Sequence, residues 1–316
     1  MTWFGSVRRS RVLSVARVGS WRIRLRFLPL LVALAWIVPG APAESASPAT
    51  NELSGQDVSY AMKDGLLTAT FSERTDDTAL SAALPALIAK GVQSVILRGD
   101  PIQDIGLLAR LPALRKLDIS GTRVRDIAAL AGFTDLDSLN LQFLQISDLK
   151  PLEKLTGLRS LNIGGSDVQD LTPLVRLTNL QALVVAVTKI ADLRPIAALT
   201  QMISLDVDTT WVRDVRPLAS MTNLRELKLS GTLVADLRPL SGLVSLRTLD
   251  LAATNVSDIR PLAHLTNLRA LNIEGTQVTD VEPLAALTAL RSVDLGGSLV
   301  SNITPLSGLT ELEIRR

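Results

Sequence analysis

The chain has 316 residues, of which 33 are basic and 31 acidic, giving a net charge of +2; 47% are hydrophobic. There is one histidine and no cysteine, which excludes disulfides, thiol nucleophiles and cysteine-ligated metals. The length and apolar content leave ample material for a large continuous core.

The charge is unevenly placed. Residues 1–26 carry Arg8, Arg9, Arg11, Arg17, Arg22, Arg24 and Arg26 and no acid. An uncharged apolar run follows, Phe27 to Val38, and then Gly40-Ala41-Pro42-Ala43. This is the order of a secretory signal peptide over 1–43, with a small-x-small cleavage site after Ala43. Its apolar core is shorter than the roughly 20 residues that span a bilayer. An uncleaved anchor, or a start codon placed too far upstream, are the competing readings. Taking the seven arginines from the 33 basic residues leaves 26 against 31 acids, so the mature chain would be net −5. Nucleic-acid binding thereby loses its main support. Three of the four tryptophans would also leave, and Trp211 alone would stay. Without cysteine the product cannot be a lipoprotein acylated on an N-terminal thiol. A periplasmic or secreted protein is the expectation.

Residues 44–56 are rich in Ser, Ala, Pro, Thr and Asn and read as a flexible linker. Residues 57–92 are expected to form an N-terminal cap. Two apolar runs flank Lys63-Asp64-Gly65, a hairpin turn signal. Asp76, Asp77 or Thr78 would then cap a helix reaching about Lys90, with Pro85 straining its middle.

Residues 93–316 repeat one phrase, seen cleanly in Leu224-x-x-Leu227-x-Leu229-x-x-Thr232-x-Val234-x-Asp236-Leu237-x-Pro239-Leu240. Asp104, Asp126, Asp148, Asp170, Asp192, Asp214, Asp236, Asp258 and Asp280 mark a 22-residue period that Asn302 continues. About ten beats without an insertion mean a solenoid of stacked coils, ending in an incomplete one. The Leu-x-Leu segments alternate with period two and predict short strands, side by side in a parallel sheet.

This phrase resembles the bacterial leucine-rich repeats of the internalin type, in repeat length and in the Asp-Leu-x-Pro-Leu ending. The resemblance implies an α/β solenoid: a right-handed arc with a parallel concave sheet and short 3₁₀ turns on the convex side. Where that family usually has Asn after the strand, most coils here have Thr or Ser, as at Thr122, Ser166, Thr188, Thr210, Thr232, Thr254, Thr276 and Ser298. A hydroxyl can still donate and accept in the turn. Adhesion and host invasion are not expected to carry over, because internalins commonly continue into an immunoglobulin-like domain and a wall anchor, and this sequence stops at Arg316.

The residues offer little for catalysis. The aspartate column suits helix capping: each carboxylate can accept from the amide two residues on, at the start of a convex turn. His264 falls in a variable convex column without a nucleophile. Asp206 and Asp208 form a carboxylate pair on the concave face, expected to be solvated and poorly placed for a raised pKa. One arginine column precedes the strands (Arg115, Arg159, Arg225, Arg247, Arg269, Arg291) and another follows the convex aspartates (Arg194, Arg216, Arg238, Arg260). Either column could grip anionic glycans or lipid headgroups; the competing reading is a solvated rim paired with acids.

Function is expected on the concave face. Its outward positions are mostly polar, and Ala182, Val184, Ala186 and Val187 make a small apolar dent between Asn162 and Asp206. An apolar centre with a polar rim is how protein-binding hot spots are built, and drift in a tolerant column is the equal alternative. The candidate surface is Phe143, Asn162, Val184, Ala186, Val187, Asp206, Asp208, Trp211 and Lys228. The expected protein is an exported, non-enzymatic monomer without cofactor, metal or transmembrane span, binding a protein or peptide.

Overall fold

A computed structural model describes residues 58–99 and 101–316; the leader and linker proposed for 1–43 and 44–56 lie outside the described residues. Val58–Lys63 (β1) and Leu66–Phe71 (β2) pair antiparallel. Asp64 and Gly65 turn the chain between them, both at positive φ, 51° and 73°. Asp and Gly are the residues that tolerate this in a tight hairpin. The helix Asp77–Ala89 (α1) is capped by Asp76, whose carboxylate accepts from the Ala79 amide at 2.8 Å. It runs through Pro85 without a break and buries Leu80, Leu84 and Leu87.

Eleven three-residue strands follow. They are Ser94–Ile96 (β3), Lys116–Asp118 (β4), Ser138–Asn140 (β5), Ser160–Asn162 (β6), Ala182–Val184 (β7) and Ser204–Asp206 (β8). Glu226–Lys228 (β9), Thr248–Asp250 (β10), Ala270–Asn272 (β11), Ser292–Asp294 (β12) and Glu313–Arg315 (β13) complete the series. Together with the hairpin they form one 13-stranded sheet in strict chain order, parallel from β2 onward. From β3 to β12 each residue pairs with the one 22 positions on; β12 to β13 closes with a step of 21, Ser292 opposite Glu313.

The period decides which side chains are buried. In each strand the middle residue points inward, so Leu183, Leu205, Leu227 and Leu249 lie in one continuous aliphatic spine. Its walls are the conserved-phase leucines of each coil, such as Leu224, Leu229, Leu237 and Leu240, all essentially inaccessible. Stacking is what makes this possible, because a single 22-residue coil could not cover its own apolar face.

The turns are held by two polar columns. Oδ1 of each repeat aspartate accepts from the amide two residues later: Asp126 from Ala128 at 2.8 Å, Asp236 from Arg238 at 3.0 Å, Asp280 from Glu282 at 2.9 Å. Asn302 does the same for Thr304. Short 3₁₀ turns such as Arg238–Leu240 begin there, with Pro near the start where its missing N–H costs nothing. The Thr/Ser column is buried except at the partly buried Ser298, and each hydroxyl donates to the carbonyl three residues back, as Thr232 does to Leu229 at 2.6 Å. That bond is how the hydroxyl satisfies a turn where related repeats use a carboxamide.

Candidate functional site

The concave wall ends in a turn that repeats with the strands. Three residues past each strand the backbone takes positive φ while its N–H still donates to the next coil, as Val187 does to the Asp208 carbonyl at 2.8 Å. Glycine supplies that conformation at Gly99, Gly121, Gly165, Gly231, Gly275 and Gly297. Four coils place a side chain there instead: Phe143 (φ 61°), Val187 (58°), Thr209 (55°) and Ala253 (53°). For a β-branched residue this is a strained choice.

Two of these four are large exposed apolar groups, Phe143 at 61% and Val187 at 58%. The Phe143 ring extends over Gly165 in the next coil, so closely that a Cβ at Gly165 would fall 2.3 Å from the ring. Two residues beyond the same turn, Trp211 is 65% exposed and Leu233, one coil further, is 41% exposed. Phe143, Val187, Trp211 and Leu233 thus run diagonally along the rim at the C-terminal ends of β5 to β9. Leu233 was not among the expected site residues, although its position 22 after Trp211 was the signal.

On the sheet itself Ala182, Val184 and Ala186 are partly exposed, as expected for an apolar dent. Asn162 is not part of an accessible rim. It is buried, and its Oδ1 accepts from the Gly164 amide at 2.9 Å. The same bond recurs along the column, from Ser120 to Asp118, Gln142 to Asn140, Ala252 to Asp250 and Gly296 to Asp294. From β4 to β12, two coils lack the carboxylate or carboxamide that accepts it. In one, Lys228 takes the place, and the Ser230 amide donates across coils to Asp208 Oδ1 at 2.7 Å. In the other, Val184 takes it, and among the described residues the Ala186 amide has no acceptor.

The cross-coil bond changes Asp208. The carboxylate expected to be solvated is partly buried, and desolvation with the charge of Asp206 beside it pushes its pKa up to about 7. The Ser230 amide and Lys228 oppose that rise without cancelling it. Burial alone would lower Lys228, but Asp206 and Glu226 outweigh it and hold the ammonium above its ordinary value. The Lys228 ammonium lies 3.4 Å from Asp206 and 3.7 Å from Glu226.

Four convex arginines are held by ion pairs within their own turns. Arg194, Arg216, Arg238 and Arg260 each fork onto the aspartate two residues before, at 2.7–2.8 Å. Hydrogen bonds from the guanidinium and the backbone amide of Arg238 hold Asp236 at a pKa of about 2. His264 is an exposed convex residue. In the other arginine column Arg291 pairs with Glu311 at 3.0 Å.

A parallel sheet of one-coil strands, backed by 3₁₀ turns and an aliphatic spine, defines a leucine-rich repeat protein. The family model for leucine-rich repeats in two copies matches residues 222–264. Internalin C2 of Listeria monocytogenes is 30% identical, over 61% of this chain and 76% of its own, with a TM-score of 0.51. A second Listeria monocytogenes internalin, InlF, is 22% identical over 75% of this chain and 94% of its own, with a TM-score of 0.60. A leucine-rich repeat protein of Leptospira interrogans shares the fold at 16% identity, with a TM-score of 0.54 over 77% of this chain and 81% of its own. A comparison with curated proteins gives no match. The chain belongs to the bacterial leucine-rich repeat proteins of the internalin type.

Proposed function

We propose that this is an exported, non-enzymatic recognition protein that binds a protein or peptide on its concave wall at β7 to β9. The observation that carries the reading is the placement of Phe143, Val187, Trp211 and Leu233. These four exposed apolar side chains follow one rim beside the only apolar stretch of the sheet between β4 and β12, and Leu299 continues the Trp211 column three coils beyond Leu233. Aromatic and aliphatic anchors ringed by polar groups are what protein interfaces concentrate. The wall is preformed by the rung geometry, so binding would order few of its own residues. Export rests on the arginine-rich leader and its apolar run, with Glu44 as the first residue of the product.

The convex arginines support a polyanion reading poorly, because each guanidinium is already engaged by its own aspartate. Such exposed pairs contribute little stability, yet a phosphate would have to compete with them.

The full chain, immobilised, would be offered to envelope extract beside the double variant Val184→Glu, Val187→Glu. We expect the variant to keep its circular dichroism spectrum and to lose at least about nine-tenths of the captured protein, a tenfold drop in affinity. Undiminished capture by a folded variant would remove the site.

A further inference from the structure

The concave wall is chemically asymmetric about the dent. From β8 to β12 its outward positions hold Asp206, Asp208, Glu226, Asp250, Glu274 and Asp294, against Lys228 alone. Lys228 is spent on Asp206 and Glu226. Asp208, Asp250, Glu274 and Asp294 have no ion-pair partner among the described residues. On the other side of the acids lies the apolar patch. Its border carries two polar groups without a partner among the described residues: the Ala186 amide, and the buried hydroxyl of Ser160, which pairs in register with Ala182.

We infer that the occupant of this wall is a basic peptide segment, with an apolar side chain in the dent and an adjacent lysine or arginine on Asp208 and Asp250. The inference rests on the recognition reading above and gives it a ligand chemistry. Three features argue for it. Arg225, Arg247 and Arg269 flank the strands but make no ion pair with these acids among the described residues, so the acids leave a local negative surplus, which steers and selects a partner of opposite sign. An apolar residue beside that cation would cover Val184 and Val187, whose exposure costs solvation. A main-chain carbonyl of the ligand would complete the Ala186 amide, the one donor in its column from β4 to β12 that the fold leaves open. Successive coils stand about 4.8 Å apart, so a cation on Asp208 lies within two or three ligand residues of the dent.

Asp208 links this contact to pH. Asp206 faces it from its own coil, and Lys228 and Asp250 from the coils that follow; the preceding coil presents only Ala186 there, which does not titrate. A carboxyl that ionises near neutrality binds a cation better once its proton is gone. Affinity for a basic ligand therefore rises as pH rises from 6 to 8.

Fluorescein-labelled hexapeptides test this with the full chain, by anisotropy. The probes are Gly-Leu-Lys-Leu-Lys-Gly, a serine-lysine analogue without the apolar residues, and a leucine-glutamate analogue without the cations. The leucine-lysine peptide is expected to bind about tenfold more tightly than either analogue. Asp208→Asn with Asp250→Asn, which keeps both amide acceptors, should erase that preference and the pH response. Equal binding of the leucine-glutamate peptide, or no binding of any probe, overturns the basic-ligand chemistry. If those bound peptides are still lost in the Val184→Glu, Val187→Glu variant, the recognition reading stands without it. Leucine-lysine binding that survives the glutamate pair overturns both.

Discussion

Replacing Asp208 by asparagine is expected to leave stability nearly unchanged at pH 4 and to raise it by about 1–3 kcal/mol at pH 8. The folded carboxyl ionises only near 7, because burial and Asp206 disfavour its charge, whereas an unfolded aspartate ionises near its ordinary value of 3.8. Between those values the native state holds a proton that the unfolded chain has released. Stability contributed by this group therefore falls as pH rises from about 4 to 7 and is flat beyond. Asparagine cannot ionise, and its carbonyl can still accept from the Ser230 amide that Asp208 serves at 2.7 Å. Chemical denaturation of both proteins at the two pH values checks this. A variant that is no more stable at pH 8 would mean the carboxylate is solvated after all.

Val187→Gly should stabilise the protein by about 1 kcal/mol, although it deletes a side chain. Valine at φ 58° sets its branched Cβ against the backbone, and 58% exposure means that little burial is lost with it. Six other coils use glycine at this position. The greater freedom of glycine in the unfolded chain offsets part of the gain. If the glycine variant is more stable and also captures less partner, the valine is retained for binding at a cost to folding. Thermal melts settle the first half; a loss of stability would show that Val187 is packed rather than presented.

Much of this architecture is legible along the chain, for one physical reason. A 22-residue period forces every coil into the same phase, so the Leu-x-Leu alternation locates strands and the Asp-x-x-Pro spacing locates capped turns without any three-dimensional knowledge. Asp236 and its column behave as that spacing implies. The site is less legible because its features are substitutions into the pattern. Phe143 and Val187 occupy a left-handed position that glycine marks elsewhere, and its meaning emerges only when the backbone is seen to bend there. Asn162 reads as a rim residue from its outward phase, yet its side chain folds down onto the Gly164 amide. Asp208 reads as an open carboxylate because its partner, the Ser230 amide, lies one full coil away in sequence. It is needed there because Lys228 has displaced the usual acceptor. Local pattern finds what every coil shares; contacts between coils decide what one coil does differently.

Site-resolved hydrogen–deuterium exchange on the full chain, with and without its captured partner or the leucine-lysine peptide, addresses the binding wall most directly. Protection is predicted to appear at Ala186, whose amide finds no acceptor among the described residues, and to leave the convex Asp236–Leu240 turn unchanged. Protection confined to the convex turns, with Ala186 exchanging as fast in the complex as alone, would contradict recognition on the concave face.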